Sequence, residues 1–294
     1  MPTIYGKYSS GFSETIAGSS GDDTIYPLGG WDTVDAGAGI DTVVIAANAS
    51  AFKISSINGT TYVDAISSAS SYDSVMLRNT EYIKFNDTTV SLIINDIYKN
   101  TPGSDNFDGG PGRDTVEYLG IRANFSVTSQ TNNRAIVQNL AGTEGSDYLI
   151  SVERLQFADA KVALDLGPRD CAGQAVLLIG AVLGKELTLA KKELMGTVIG
   201  LFDEGYDMGA LAGALMRLPI WAGVLTPTNS KADIAAYLFR VTNGHEPSSL
   251  ELQAAVAQMG AQVEGAYLAS LAASAANQLQ VDLVGLAAKG FEYV

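Results

Sequence analysis

A nine-residue period within the first fifty residues leaves this chain few ways to fold. Residues 18–26 read GSSGDDTIY, residues 27–35 PLGGWDTVD and residues 36–44 AGAGIDTVV. Strict steps of nine align Gly21, Gly30 and Gly39, then Asp23, Asp32 and Asp41, then Ile25, Val34 and Val43. Glycine permits the positive φ of a tight turn. The aspartate brings a carboxylate, and the apolar residue two places on starts a short strand directed into a core. Stacked turns of this kind line up carboxylates and backbone carbonyls, the hard oxygen ligands that calcium prefers. Two further turns follow, one with Gly103, Asp105 and Phe107, the other with Gly112, Asp114 and Val116. The same glycines and aspartates could instead serve only to shape turns through Asx hydrogen bonds.

A longer repeat encloses the short one. Asp41-Thr42-Val43 matches Asp114-Thr115-Val116 at an offset of 73, and Phe52-Lys53-Ile54 matches Phe125-Ser126-Val127 at the same offset. Glu81-Tyr82-Ile83-Lys84-Phe85-Asn86-Asp87 then matches Glu153-Arg154-Leu155-Gln156-Phe157-Ala158-Asp159 at 72. The units run from about 14 to 92 and 96 to 165. Within each, alternating apolar residues predict strands, with turns at Gly59-Thr60 and Asn86-Asp87. Glu81 and Glu153 would suit a paired-carboxylate glycosidase only if they met at one site. Lying in copies of one unit, they read instead as hydrogen-bonded turn residues.

Near Gly167-Pro168 the chain changes character. Residues 1–170 hold 21 acidic and 11 basic side chains amid Gly, Ser, Thr, Asn and Asp; residues 171–294 hold 11 and 7 amid Ala and Leu. The expected division is a β domain over 1–168 and a helical domain over 169–294. Helical faces are predicted from Leu187, Ala190, Leu194, Val198 and Leu201, from Leu211, Ala214, Leu215 and Leu218, and from Ile234, Tyr237, Leu238 and Val241. Asn243-Gly244 reads as a helix stop and Ser248 to Glu251 as a capping box. Five or six helices fit. The expected class is α+β by segregated domains: an all-β parallel solenoid with two internal repeats, then an all-α bundle.

The nonapeptides resemble the RTX (repeat-in-toxin) family of calcium-binding proteins. That resemblance implies a β-roll in which two nonapeptides make one coil, so the loops of Asp23 and Asp41 pair across a calcium. By the same step Glu14 pairs with Asp32, and Asp96 with Asp114, although the Glu14 and Asp96 turns lack the family's glycines. The arrays are short, so about one to three calcium ions are expected. The metal candidates are Gly21, Asp23, Gly30, Asp32, Gly39, Asp41, Gly103, Asp105, Gly112 and Asp114. The helical half, on residues 205–224 and 237–252, resembles a domain of unknown function often appended to RTX-type secreted proteins. The resemblance further implies type I secretion from a Gram-negative bacterium, with the apolar stretch 281–294 as an uncleaved signal. No basic and apolar leader opens the sequence.

A net charge of −14 argues against nucleic acid as a partner and against an anionic membrane surface. Residues 172–184 are too short to span a bilayer, and residues 208–225 carry Arg217 and Pro219, so no membrane insertion is expected. His245, the one histidine, falls in a turn between helices; Cys171, the one cysteine, begins an apolar helix. Trp31 and Trp221 read as core or edge residues. No zincin, nucleophile-elbow, P-loop or dinucleotide fingerprint is present, so no enzyme is expected. The resulting expectation is a secreted structural protein of the cell surface or biofilm matrix. It folds on calcium and assembles with copies of itself into a filament or surface layer. The other reading is a calcium-dependent adhesin or lectin for extracellular polysaccharide.

Overall fold

The computed structural model describes residues 2–7, 12–37, 39–57, 60–66, 74–93, 95–130, 133–140, 142, 145–261 and 265–294. Gly59 of the first expected turn lies outside the described residues. The chain forms two units, one from Met1–Glu117 with Thr131–Glu153, the other from Tyr118–Gln130 with Arg154–Val294.

In the first unit, successive short strands alternate between two sheets. β1 (Thr3–Tyr5), β3 (Thr24–Tyr26) and β5 (Thr42–Val44) lie parallel in one; β2 (Thr15–Ala17) and β4 (Trp31–Asp35) lie parallel in the other. Thr24 pairs with Thr42 and Thr15 with Thr33, so a strand meets its own sheet again after eighteen residues, two of the nine-residue steps. The in-register apolar positions Ile16, Ile25, Val34 and Val43 all point inward and are at most 6% exposed. Each contributes about 1.5–3 kcal/mol by leaving water.

Past Val44 the period ends and the stack is closed by pairing of a different kind. A 3-10 turn (Ala49–Ala51) leads into the hairpin β6 (Phe52–Ile57) and β7 (Thr60–Ala65), paired from Phe52↔Ala65 to Ile57↔Thr60. β8 (Ser74–Arg78) extends the β4 sheet and β9 (Tyr82–Lys84) extends the β5 sheet, both in parallel; β10 (Thr89–Ser91) turns back antiparallel on β9. The finished orders are β1-β3-β5-β9-β10 and β2-β4-β8-β7-β6, with Ile45, Leu77 and Ile83 completing the core.

The duplication recurs element for element: β11 (Ile97–Lys99), β12 (Asn106–Asp108), β13 (Thr115–Glu117), a 3-10 turn (Arg122–Asn124), β14 (Phe125–Gln130), β15 (Arg134–Asn139), β16 (Ser146–Ile150), β17 (Arg154–Gln156) and β18 (Lys161–Ala163). Side-chain roles repeat too. The Asp87 carboxylate accepts from the Ala49 amide at 2.9 Å, and Asp159 accepts from the Arg122 amide at 2.7 Å. Phe52 packs on Phe85, and Phe125 on Phe157. Within the first unit β11 runs parallel to β13 and β12 parallel to β16, while β15 is antiparallel to β16.

The second unit holds β14, β17, β18 and eight α-helices among its described residues: α1 (Cys171–Ala190), α2 (Lys192–Asp203), α3 (Met208–Met216), α4 (Lys231–Asn243), α5 (Ser249–Ala261), α6 (Ala266–Ala272), α7 (Ala275–Gln280) and α8 (Leu283–Ala287). α4 stops at Asn243 because Gly244 takes φ +77°. α5 starts with the reciprocal cap, Ser248 N donating to Glu251 Oε2 at 2.8 Å and Glu251 N to Ser248 Oγ at 3.3 Å. By length and composition α1 would suit a membrane span. However, Gly184 breaks it at φ +73°, and most of its first thirteen residues are buried.

Three expectations need correction. The helical half is not all-α, because β19 (Phe291–Tyr293) pairs antiparallel with β18, Ala163 opposite Phe291. Among the described residues the helices number eight rather than five or six. The face proposed over Leu187 to Leu201 is divided: Lys191 leaves helical geometry at ψ 58°, and Leu187 and Leu194 are exposed while Val198 is buried. Trp221 is core, with Nε1 donating to Leu215 O at 3.0 Å, whereas Trp31 stands exposed on β4. His245 is exposed.

A buried ion triad ties the start of this unit to its helices. Arg154 on β17 is 5% exposed and pairs with Asp165 and with Asp203 at the end of α2, the latter at 2.8 Å. Burial works against its charge, but the two carboxylates outweigh burial and hold the guanidinium above its ordinary pKa range.

Candidate functional site

Asp32, Asp41 and Asp114 are buried beside their strands, and each carboxylate accepts a backbone N–H one coil away; the carboxylates of buried Asp23 and half-buried Asp105 instead accept within their own loops, from Ser19 N at 2.6 Å and Thr101 N at 3.0 Å. Asp41 Oδ1 accepts from Asp23 N at 2.7 Å, Asp32 Oδ1 from Glu14 N at 3.1 Å, and Asp114 Oδ1 from Asp96 N at 2.7 Å. All three pairs are eighteen residues apart, so the expected partners meet, including the Glu14 and Asp96 turns that lack glycines. Asp105 continues the pattern over a different interval, with its N–H donating to Asp147 Oδ1 at 2.9 Å.

The ladder then runs past the last nonapeptide. Asp41 N donates to Glu81 Oε2 at 2.6 Å, and Asp114 N to Glu153 Oε2 at 2.9 Å. The two glutamates are thus turn-bonded, and they occupy the rung that the next repeat aspartate would take. Asp147, Glu81 and Glu153 were not foreseen as rungs, because spacings of 42, 40 and 39 residues are not multiples of nine. The 73- and 72-residue duplication was the one available signal. Asp22 was also overlooked: Asp22 Oδ1 accepts from Ile40 N at 2.9 Å, as Asn95 Oδ1 does from Arg113 N at 2.8 Å.

The loops require their glycines at two kinds of position. Gly30, Gly39, Gly103 and Gly112 take φ between +110° and +154°. At Gly39 a Cβ would also stand 2.7 Å from Asp22 N. Gly21 sits in an exposed bend with open space around it, so neither sterics nor φ demands it there.

What distinguishes these aspartates from ordinary turn formers is the oxygen left over. Asp23, Asp32, Asp41 and Asp114 are at most 3% exposed, yet Asp23 Oδ1, Asp32 Oδ2, Asp41 Oδ2 and Asp114 Oδ2 are buried with no hydrogen-bond partner. A buried anionic oxygen without a partner costs several kcal/mol. A fit to calcium follows from the donor chemistry, since every orphan is a hard oxygen. Among the described residues no three Asp, Glu, His or Cys side chains gather to hold an ion by themselves. An ion here would draw on one or two carboxylates with loop carbonyls.

Electrostatics point the same way. Burial pushes Asp32, Asp41 and Glu81 above the usual carboxylate range, and the neighbouring charges of Glu14, Asp23 and Asp41 respectively push them further. Asp114 is raised from 3.8 to about 7 by burial, with Asp96 and Asp108 adding to it. In chelator, then, the native state binds a proton between these two values that the unfolded chain does not. Stability is expected to rise as pH falls from about 7 toward 4 and to be lost again as pH rises. A thermal midpoint that falls over that descent would contradict the burial of Asp114.

One comparison with known protein families agrees with the geometry. The model of the RTX calcium-binding nonapeptide repeat matches four copies, over residues 8–43 and 101–117. No curated protein matches the chain. Among solved structures, the extracellular lipase LipA from Serratia marcescens is similar at 12% identity and a TM-score of 0.20, over 52% of this chain and 38% of that one. The chain therefore spans well under half of that lipase. Two arrays of nonapeptides, in register and with their aspartates stacked eighteen residues apart, show that this chain carries RTX calcium-binding nonapeptide repeats.

Proposed function

We propose that the chain is a secreted, non-enzymatic structural protein whose first 168 residues carry a calcium-dependent β-roll and whose residues 169–294 are helical apart from β19, which adds a strand beside β18. Asp23, Asp32, Asp41, Asp105 and Asp114 would hold calcium, together with carbonyls of the loops opened by Gly21, Gly30, Gly39, Gly103 and Gly112. The observation that carries this reading is the set of buried, partnerless carboxylate oxygens. Bound calcium supplies the positive charge that these oxygens lack. Without it the carboxylates repel one another and the stack is strained toward unfolding, so the chain stays loose for type I export and folds outside the cell.

For the folded protein we favour assembly of copies into a filament or surface layer. β1 heads its sheet and is paired on one side only among the described residues, with Ile4 half-buried at the end of the core. Open strand edges of this kind template further pairing, and head-to-tail contacts that do not close give fibres. The second reading is an adhesin or lectin. It rests on Trp31, 61% exposed on β4, and on the exposed Phe12, whose carbonyl accepts the Trp31 amide; an exposed aromatic face suits sugar stacking.

Mass by light scattering, in chelator and then in roughly millimolar calcium, separates these readings. Very large species in calcium are expected. A folded monomer that forms only with calcium would favour the adhesin. One unchanged mass and fold in both buffers would remove the calcium-triggered reading altogether.

A further inference from the structure

The chain carries a net charge of −14, yet one cavity in the second unit has the opposite sign. Its volume is about 240 Å³, and three cations stand on its wall: Arg122, Lys192 at the start of α2, and Lys289 just past α8. The one carboxylate there, Glu292 of β19, pairs with Lys192 and lies 4.0 Å from Arg122 Nε. One negative charge against three positive leaves the wall cationic.

Glu292 answers only part of this positive charge. Arg122 is fixed by a hydrogen bond from Nη1 to Phe125 O at 2.6 Å and by the Phe157 ring beneath it at 5.5 Å. Its Nε is buried and has no hydrogen-bond partner. Lys289 has no ion pair among the described residues. Its charge is felt by Asp282, but that carboxylate is engaged by Lys185 at 3.2 Å. The N-cap of α2, Lys191, contributes no side-chain cap, so the positive end of a twelve-residue helix adds to the field, offset in part by Glu193 in its first turn. Leu189, Leu286 and Phe291 make the remaining wall apolar.

We propose that this cavity binds a small organic anion, its oxyanion head taken by Arg122 and Lys289 and its apolar body laid against Leu189 and Leu286. Small size follows from two observations: the cavity is limited in volume, and the net charge of −14 on the whole chain repels polyanions. This assignment does not depend on the calcium reading, since all its residues belong to the second unit.

The full chain, folded in calcium, is titrated calorimetrically with benzoate and with benzenesulfonate, and with benzamide as the uncharged match. The two anions distinguish a carboxylate from a sulfur or phosphorus oxyanion as the natural head. At least one is expected to bind with Kd near a millimolar or below, weakening with salt, while benzamide does not. Lys289→Gln should weaken binding roughly three- to tenfold, and Glu292→Gln should strengthen it by about the same factor by removing the competing carboxylate. An unchanged thermal midpoint for the Lys289→Gln chain keeps the comparison sound, because Lys289 makes no hydrogen bond through Nζ among the described residues. The proposal is overturned if neither anion binds, if benzamide binds as well as they do, or if both variants bind like the parent.

Discussion

Asp41→Asn is expected to stabilise the first unit in chelator and to destabilise it in calcium. The amide oxygen can still accept the Asp23 N–H that Asp41 Oδ1 accepts at 2.7 Å, so the coil-to-coil bond survives. What goes is a buried negative charge that burial and the carboxylates of Asp23 and Asp22 disfavour. In chelator that removal is a gain of about 1 kcal/mol, the scale of one adverse charge contact at effective protein dielectric. In calcium it is a loss of roughly 3 kcal/mol, the order seen when one partner of a buried charge pair is removed. Asp41→Ala should lose in both buffers, because the buried Asp23 amide then has no acceptor. Trp31 lies in the first unit and Trp221 in the second, so unfolding followed by fluorescence in a Trp221→Phe background reports the first unit alone. A shift of the same sign in both buffers for Asp41→Asn would refute the role given to Asp41.

Arg154→Met is expected to cost the second unit about 3–5 kcal/mol, the largest single-residue effect foreseen. The guanidinium is 5% exposed and serves two carboxylates at once, Asp165 beyond β18 and Asp203 at the end of α2. Asp165 is doubly engaged, because its other oxygen accepts from Ala172 N at 3.3 Å in the first turn of α1. Methionine fills the volume but strands two acids away from water. Arg154→Lys should recover only part of the loss, since one ammonium cannot fork between two partners as a guanidinium does. Combining Arg154→Met with Asp165→Asn and Asp203→Asn should recover more, because no charge is then left buried and unpaired. Denaturant unfolding followed through Trp221 tests this, and a loss under about 1 kcal/mol for Arg154→Met would show that the triad is solvated.

Much of this was legible in the residues. A period of nine with aspartate at one place and an aliphatic residue at another has one economical solution, and Ile25, Val34 and Val43 are indeed buried beside their stacked aspartates. The cap at Ser248 to Glu251 and the stop at Gly244 were legible because their chemistry is local. The features that escaped depend on residues far apart in the chain. Glu81 reaches Asp41 only because β9 stands beside β5 once the intervening hairpin and β8 have joined the other sheet, and no spacing rule counts that. The break between α1 and α2 falls at Lys191, with neither glycine nor proline to announce it. The cationic cavity gathers Arg122, Lys192 and Lys289 from segments up to 167 positions apart, against a composition that argues for acidity everywhere.

The strand Phe291–Tyr293 carries a kinetic implication. Its partner β18 ends at Ala163, so 127 residues must be placed before this sheet gains its last member. Closing so long a loop is slow compared with forming any of the helices in between. The helices can therefore form early while the sheet stays open, and Phe291 and Tyr293, at most 6% exposed once docked, remain in water until the end. Late docking of this strand would set the pace at which the second unit matures, with α2 shaped to receive it: a Cβ on Gly196 would stand 2.1 Å from the Val294 carbonyl oxygen.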